Sequence, residues 1–169
     1  VTVSDGELID TQNISITVNA INDAPIASDN ISGTTLEDES ILISLSAIDV
    51  DGDNLIFSLD DDAANGSVVI DGSFATYSPN TNYNGDDSFT FSVSDGLESS
   101  SASVTLSVSA VNDAPVLESA SDVSFDEDGS GSTSLSGSDV DGDVLTYSIT
   151  GGSDITAILD GSDVSFSTT

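Results

Sequence analysis

The stretch Ser88-Phe89-Thr90-Phe91-Ser92-Val93-Ser94-Asp95-Gly96-Leu97-Glu98, continued by Ala102-Ser103-Val104-Thr105-Leu106-Ser107-Val108, decides the fold. Apolar residues alternate with Ser and Thr on both sides of an Asp-Gly turn. A period of two places one set on a buried face and the other toward water, which is a half-buried strand rather than a helix of period 3.6. Two such runs joined by a turn read as a hairpin. Working outward, Ile41, Ile43, Leu45 and Ala47 form another set, and Leu55, Phe57 and Leu59 a further one. Weaker strands are predicted at 31–36, 67–70 and 74–78, bounded by the turn signals Asn65-Gly66 and Asp71-Gly72. About seven short strands in a segment of Ig-like size predict an antiparallel β-sandwich. The apolar residues named are its expected core, and Tyr83 is expected to be a packed corner tyrosine.

The pattern repeats. Val3-Ser4-Asp5-Gly6 returns as Val93-Ser94-Asp95-Gly96, and Ile21-Asn22-Asp23-Ala24-Pro25 as Val111-Asn112-Asp113-Ala114-Pro115. Asp49-Val50-Asp51-Gly52-Asp53 returns as Asp139-Val140-Asp141-Gly142-Asp143, and Glu37-Asp38 as Glu127-Asp128, always 90 residues later. Four matches in one register define tandem units. Residues 1–23 are the tail of one repeat, 24–113 a whole repeat, and 114–169 the first part of a third. The fold class expected is all-β: tandem Ig-like or cadherin-like sandwiches, with the first and third repeats truncated. In the third, Gly131, Thr133, Leu135 and Gly137 stand where the second has Ile41, Ile43, Leu45 and Ala47, so a weaker core is expected there.

Composition narrows the chemistry. The 169 residues include 31 Asp and Glu and no Lys, Arg, His, Cys, Met or Trp, for a net charge of −31. Without His, Cys or Lys there is no Ser/His or Cys/His nucleophile pair, no Schiff base and no zinc site with nitrogen or sulfur ligands. Nucleic acid and anionic membrane surfaces repel such a chain. Its 37% apolar content in periodic runs still favours folding over disorder, provided something neutralises the charge. No apolar stretch is long enough to span a bilayer, and a start at Val1 with no leader suggests a slice of a longer polypeptide.

The acids gather in loops. In a seven-stranded sandwich the connections alternate between two poles. Asp49, Asp51 and the hairpin residue Asp95 then share the pole where the chain arrives through Asn22 and Asp23. Glu37, with Asp38, and the loop holding Asp86 and Asp87 fall at the other pole, beside Asn112 and Asp113, where the next repeat adds Asp139 and Asp141. Two carboxylates about 4 Å apart repel by roughly 4 kcal/mol at an effective dielectric near 20, so five or six together require compensation. A divalent cation supplies it, and all-oxygen ligands on flexible loops favour Ca²⁺ over Mg²⁺. Solvated Asp-Gly turns are the plain alternative. The 1, 3, 5 spacing of Asp49, Asp51 and Asp53 is not an EF-hand, because Asn54 and Val144 occupy the position of its glycine and the flanks are strands. A glycosidase needs only two carboxylates, but a catalytic pair does not recur at every repeat boundary.

Asn112-Asp113-Ala114-Pro115, Glu37, Asp49-Val50-Asp51 and Asp95 together resemble the calcium-binding motifs of cadherin repeats. The run from Tyr77-Ser78-Pro79 through Tyr83-Asn84-Gly85-Asp86-Asp87 to Asp95-Gly96 is similar to the cadherin-like tandem repeats of large bacterial surface adhesins. The resemblance implies linkers stiffened by Ca²⁺. Glu37 would be the first-strand ligand, Asn112 and Asp113 the linker ligands, and Asp139 and Asp141 the paired aspartates of the following repeat; Asp95 would be the hairpin ligand. The preceding junction would use Asn22, Asp23, Asp49, Asp51 and Asp95. Asp87, with Asp86, stands in for an acidic pair that the pattern otherwise lacks, and Ala20 and Ala110 replace a further linker acid. The implied protein is a non-enzymatic, extracellular stalk whose partners are calcium ions and its own neighbouring repeats, with adhesion to surface glycans or proteins belonging to other domains. The alternatives are a carbohydrate-binding accessory module of a secreted polysaccharide-degrading enzyme, a glycoside hydrolase fragment, or a halophile surface protein whose charge serves solubility.

Overall fold

The computed structural model describes residues 1–151 and 154–168. Its elements are all strands: β1 (Thr2–Ser4), β2 (Ile9–Thr11), β3 (Ile26–Ala27), β4 (Ile31–Leu36), β5 (Ile41–Ser44), β6 (Ala47–Ile48), β7 (Ile56–Asp61) and β8 (Gly66–Asp71). They continue with β9 (Phe74–Pro79), β10 (Gly85–Ser94), β11 (Ser99–Ser109), β12 (Val116–Leu117), β13 (Ser130–Ser134), β14 (Gly137–Ser138), β15 (Ile155–Asp160) and β16 (Asp163–Thr168). The middle repeat forms one sheet in the order β4-β11-β10-β7, a second in the order β5-β9-β8, and a short β3-β6 pair. The fold is an antiparallel β-sandwich, as the alternation predicts. The predicted run Ile41–Ala47 is split, because the strand changes partner: Leu45 N donates to Ser73 O at 2.8 Å, whereas Ser46 O accepts from Ser28 N at 3.0 Å.

By contacts the chain forms two compact units, one of residues 1–33, 40–78 and 87–106 and the other of 34–39, 79–86 and 107–169. In the first unit, Phe89, Phe91, Val93, Val104 and Leu106 are buried, together with Ile43, Leu45, Val68, Ala75 and Tyr77. Each Val, Leu, Ile and Phe side chain among them contributes about 1.5–3 kcal/mol of burial. Phe57 stacks on Phe91 at 6.1 Å between ring centroids. Gly33 is tightly packed: a Cβ there would lie 2.9 Å from Ile43 Cδ1 and 3.3 Å from Leu106 Cδ2, so those side chains would have to shift. Hairpin β1–β2 pairs Val3 with Asp10, but its apolar side chains are exposed.

In the second unit, β13 and β15 flank β16. Ile41 pairs with Tyr77 in the middle repeat, and Gly131 pairs with Phe166 in the third. The feared weakness at Gly131 is offset by a swap of volumes. A Cβ on Gly131 would lie 2.4 Å from Val123 Cγ1 and 2.9 Å from Phe125 Cδ1; Val123 occupies the repeat position of Gly33. Bulk has moved from β13 to the irregular segment 121–126 packed beside it, which conserves volume. Tyr83 behaves as a corner tyrosine, its hydroxyl donating to Asp86 O at 2.6 Å.

Candidate metal centres at the linkers

At the first linker the strands deliver acids from three places. Asp49 Oδ1 accepts the amides of Asp51 and Asp53 at 2.9 and 3.1 Å, curling the loop around its own first carboxylate while Gly52 takes φ +79°. Asp49, Asp51 and Asp53 thereby offer oxygens within 4.8 Å of one another. Asp23 N donates to Asp51 Oδ2 at 2.8 Å, and Asn22 Nδ2 donates to Asp95 Oδ2 at 2.9 Å. Asp95 Oδ1 caps its own hairpin through Leu97 N and Glu98 N, both at 2.7 Å. The Glu98 amide, followed by Asn22 and the Leu97 amide, holds the Asp95 carboxyl below the usual carboxylate range. Asp49 Oδ2 is buried and unpaired.

The second linker repeats the geometry. Asp139 Oδ1 accepts Asp141 N and Asp143 N at 3.0 and 3.2 Å, and Asp113 N donates to Asp141 Oδ2 at 2.6 Å. Here Asn112 Nδ2 donates to Asp113 O at 2.7 Å. Glu37 comes from the end of β4, where Glu37 N donates to Ser109 O at 2.9 Å and Glu37 Oε1 accepts Val111 N at 2.5 Å. Only 3% of Glu37 is exposed, yet its Oε2 has no partner, and neither has the buried Asp113 Oδ2. Burial, then repulsion from Asp141, Asp38, Glu37 and Asp139, pushes the Asp113 carboxyl above its ordinary value.

The structure therefore brings Asn22, Asp23, Asp49, Asp51 and Asp95 together at one linker, and Glu37, Asn112, Asp113, Asp139 and Asp141 at the other. Asp87 is used differently. Its Oδ1 accepts Ala64 N and Ser88 N at 3.1 and 2.9 Å, and its Oδ2 accepts Asn65 N at 2.9 Å and the Tyr77 hydroxyl at 3.0 Å. Those four bonds fill the roughly four acceptor sites of a carboxylate, so Asp87 has no lone pair left for an ion. The ligand sets expected from the sequence left out Asp53 and Asp38. The recurrence of Asp53 as Asp143 marked the first, and the second lies close enough to Asp113 to help raise its carboxyl.

Bare carboxylates this close are electrostatically unfavourable, and a buried unpaired oxygen costs about 1–3 kcal/mol, more when charged. The chain holds no Lys, Arg or His with which to offset them. The donors are all hard oxygens, which suits Ca²⁺.

Among curated proteins no match is found for this sequence. Solved structures with a similar arrangement include an endo-fucoidan hydrolase of glycoside hydrolase family 107, at 21% identity and a TM-score of 0.45. The alignment covers 99% of this chain and 28% of that one. They also include human protocadherin-24 EC1-2, at 22% identity and a TM-score of 0.47 over 70% of this chain and 61% of that one. A third is the surface layer protein SbsC, domains 4–9, at 13% identity and a TM-score of 0.36 over 99% of this chain and 30% of that one. Residues 22–108, more than half of the sequence, match the family model of the bacterial Ig domain. With the sandwich ladders and the tandem linkers described above, the chain belongs to the bacterial Ig domain family.

Proposed function

We propose that this chain is a calcium-stiffened segment of an extracellular, cadherin-like adhesive stalk, built from repeats spanning 1–23, 24–113 and 114–169. The observation that carries the reading is the buried, unpaired Glu37 Oε2 beside the buried, unpaired Asp113 Oδ2, in a chain without cationic side chains. Glu37, Asn112, Asp113, Asp139 and Asp141 would hold one ion cluster, and Asn22, Asp23, Asp49, Asp51 and Asp95 another. The ion supplies the positive charge that the sequence omits. Because it binds the assembled linker and not the unfolded chain, it stabilises by mass action, and sites of extracellular modules have dissociation constants of order 10⁻⁴–10⁻³ M. Adhesion then belongs to other domains, and this segment acts as a spacer. The carbohydrate-binding alternative needs an exposed aromatic platform. Tyr77 is buried, Tyr83 and Tyr147 are half-buried, and Phe74 is exposed singly.

The test is thermal unfolding of the full chain in Ca²⁺, Mg²⁺ and EDTA. Ca²⁺ at millimolar concentration should raise the melting temperature, with Mg²⁺ doing markedly less. Glu37→Gln together with Asp113→Asn should remove much of that response. A melting temperature indifferent to Ca²⁺ would end the proposal.

A further inference from the structure

The end of β4 turns sharply between Leu36 and Glu39, where Glu39 N donates to Leu36 O at 3.3 Å and Asp38 is left-handed at φ +60°. The same turn recurs where Gly129 N donates to Asp126 O at 2.9 Å and Asp128 has φ +65°, so the local sequence sets it. The turn sends two adjacent carboxylates different ways. Glu37 goes inside, 3% exposed and with Oε2 unpartnered. Asp38 stays exposed, and its Oδ1 accepts Asn82 N at 3.1 Å. Asn82 is also left-handed, at φ +56°, in a turn that Tyr83 N closes by donating to Asn80 O at 3.0 Å. Residues 80–84 lie outside any strand, and all but Tyr83 are exposed. The bond to Asp38 ties this loop to a point 44 residues away, whereas the Tyr83 hydroxyl reaches only Asp86 O.

We infer that Asp38 shares one carboxylate between the linker ion and this loop, Oδ2 ligating calcium while Oδ1 keeps the Asn82 amide, so that ion occupancy and loop order rise together. This rests on the calcium reading of the second linker and adds to it a ligand and a responding loop. Asp38 faces the same point as the linker acids: after Asp141 it is the acid that most raises the Asp113 carboxyl, ahead of Glu37 and Asp139. The buried, unpartnered oxygens of Glu37 and Asp113 mark that point as short of a cation. Asp38 Oδ2 takes no hydrogen bond among the described residues, so unlike Asp87 it keeps lone pairs free. Calcium accepts carboxylates through a single oxygen, which leaves the other for the amide. Residues 34–39, 79–86 and 107–169 belong to one compact unit, so turn, loop and linker are parts of one body. A short exposed loop outside the ladders opens at low cost. By linkage, the factor by which the ion steadies the loop is the factor by which the ordered loop tightens the ion.

The experiment is amide hydrogen exchange of the full chain, read residue by residue by NMR in millimolar Ca²⁺ and in EDTA. Ca²⁺ should slow exchange at 80–84 by about tenfold, a coupling within the usual range, with Asn82 the most affected. Two variants separate the two oxygens, and Asn and Gly both tolerate the left-handed backbone at this position. Asp38→Asn keeps an oxygen for the Asn82 amide and loses the carboxylate. It should leave exchange at 80–84 unchanged in EDTA, abolish the response to Ca²⁺, and weaken calcium at the second linker about tenfold, followed through the Asp141 amide that donates to Asp139. Asp38→Gly loses both roles, so exchange at 80–84 should be fast in Ca²⁺ and EDTA alike. The Asp51 amide, which donates to Asp49 at the first linker, is the internal control and should keep its full calcium response in both variants. Calcium that moves the Asp141 amide but leaves 80–84 unchanged would overturn the inference and leave the linker reading standing. So would an Asp38→Asn chain that responds like the unmodified one. No calcium response at Asp141 or Asp51 would remove the linker reading and this inference together.

Discussion

The middle and third repeats carry closely matching patterns and reach different ends. In the middle repeat Phe91, Val93 and Val104 are fully buried and residues 31–36 are a ladder-bonded strand. In the third, Leu135, Tyr147 and Phe166 are half-buried, and residues 121–126 are not assigned to a strand. The acids follow suit: Glu37 is buried beneath Val111, while its counterpart Glu127 is exposed. A strand is thus a property of a pair. Alternation makes a segment competent, but the neighbouring strand supplies the hydrogen bonds and the second wall of the core.

The largest expected contrast lies in the core. Phe91→Ala should cost about 3–5 kcal/mol of stability, as truncation of a fully buried Phe does, whereas Phe166→Ala should cost no more than about half of that. Urea unfolding followed by circular dichroism measures both, and equal losses would erase the distinction between the repeats.

Next comes the ion. At a calcium concentration 100 times its dissociation constant a site adds about 2.7 kcal/mol. Asp113→Asn should abolish the calcium-dependent part at the second linker and yet raise the melting temperature in EDTA, because it removes a repelled, partly buried charge. A variant that destabilises in both conditions would show that Asp113 serves packing rather than ion binding.

A smaller effect separates Tyr77 from Phe166, which stand at equivalent places in their hairpins. Tyr77→Phe should cost about 1 kcal/mol through loss of the bond to Asp87 Oδ2. Phe166 carries no hydroxyl and makes no such bond.

The smallest is the pH profile in EDTA. Burial and its acidic neighbours raise the Asp113 carboxyl above the ordinary 3.8, so its contribution is full below that pH and lost as pH rises through the higher folded value. Asp95 is lowered, so its contribution is present above 3.8 and lost as pH falls through the lower folded value. Asp113→Asn should therefore flatten the fall in stability with rising pH, and Asp95→Asn the fall on acidification. Calcium should reverse the Asp113 limb, because a ligand must be deprotonated.

Much of this was readable in advance. Period-two alternation, with the turn signals between, located β7 through β11 to within a few residues, and the 90-residue register pointed to the loops at the unit boundaries. The partners of Asp87 were not legible in the sequence, because an Asp facing loop amides and an Asp facing an ion look alike until the partner backbone is known. The exchange of bulk between Gly33 and Val123, matched by Ile41 and Gly131, was equally invisible, because the residues that must fit together lie on different strands.

Composition alone left 31 acids facing no basic side chain, and local alternation alone required sheets. Which carboxylates share a linker, which are consumed by backbone amides, and which strands find partners were decided by the tertiary structure. Those outcomes depend on distances of a few ångströms between segments far apart in sequence, which no local pattern encodes.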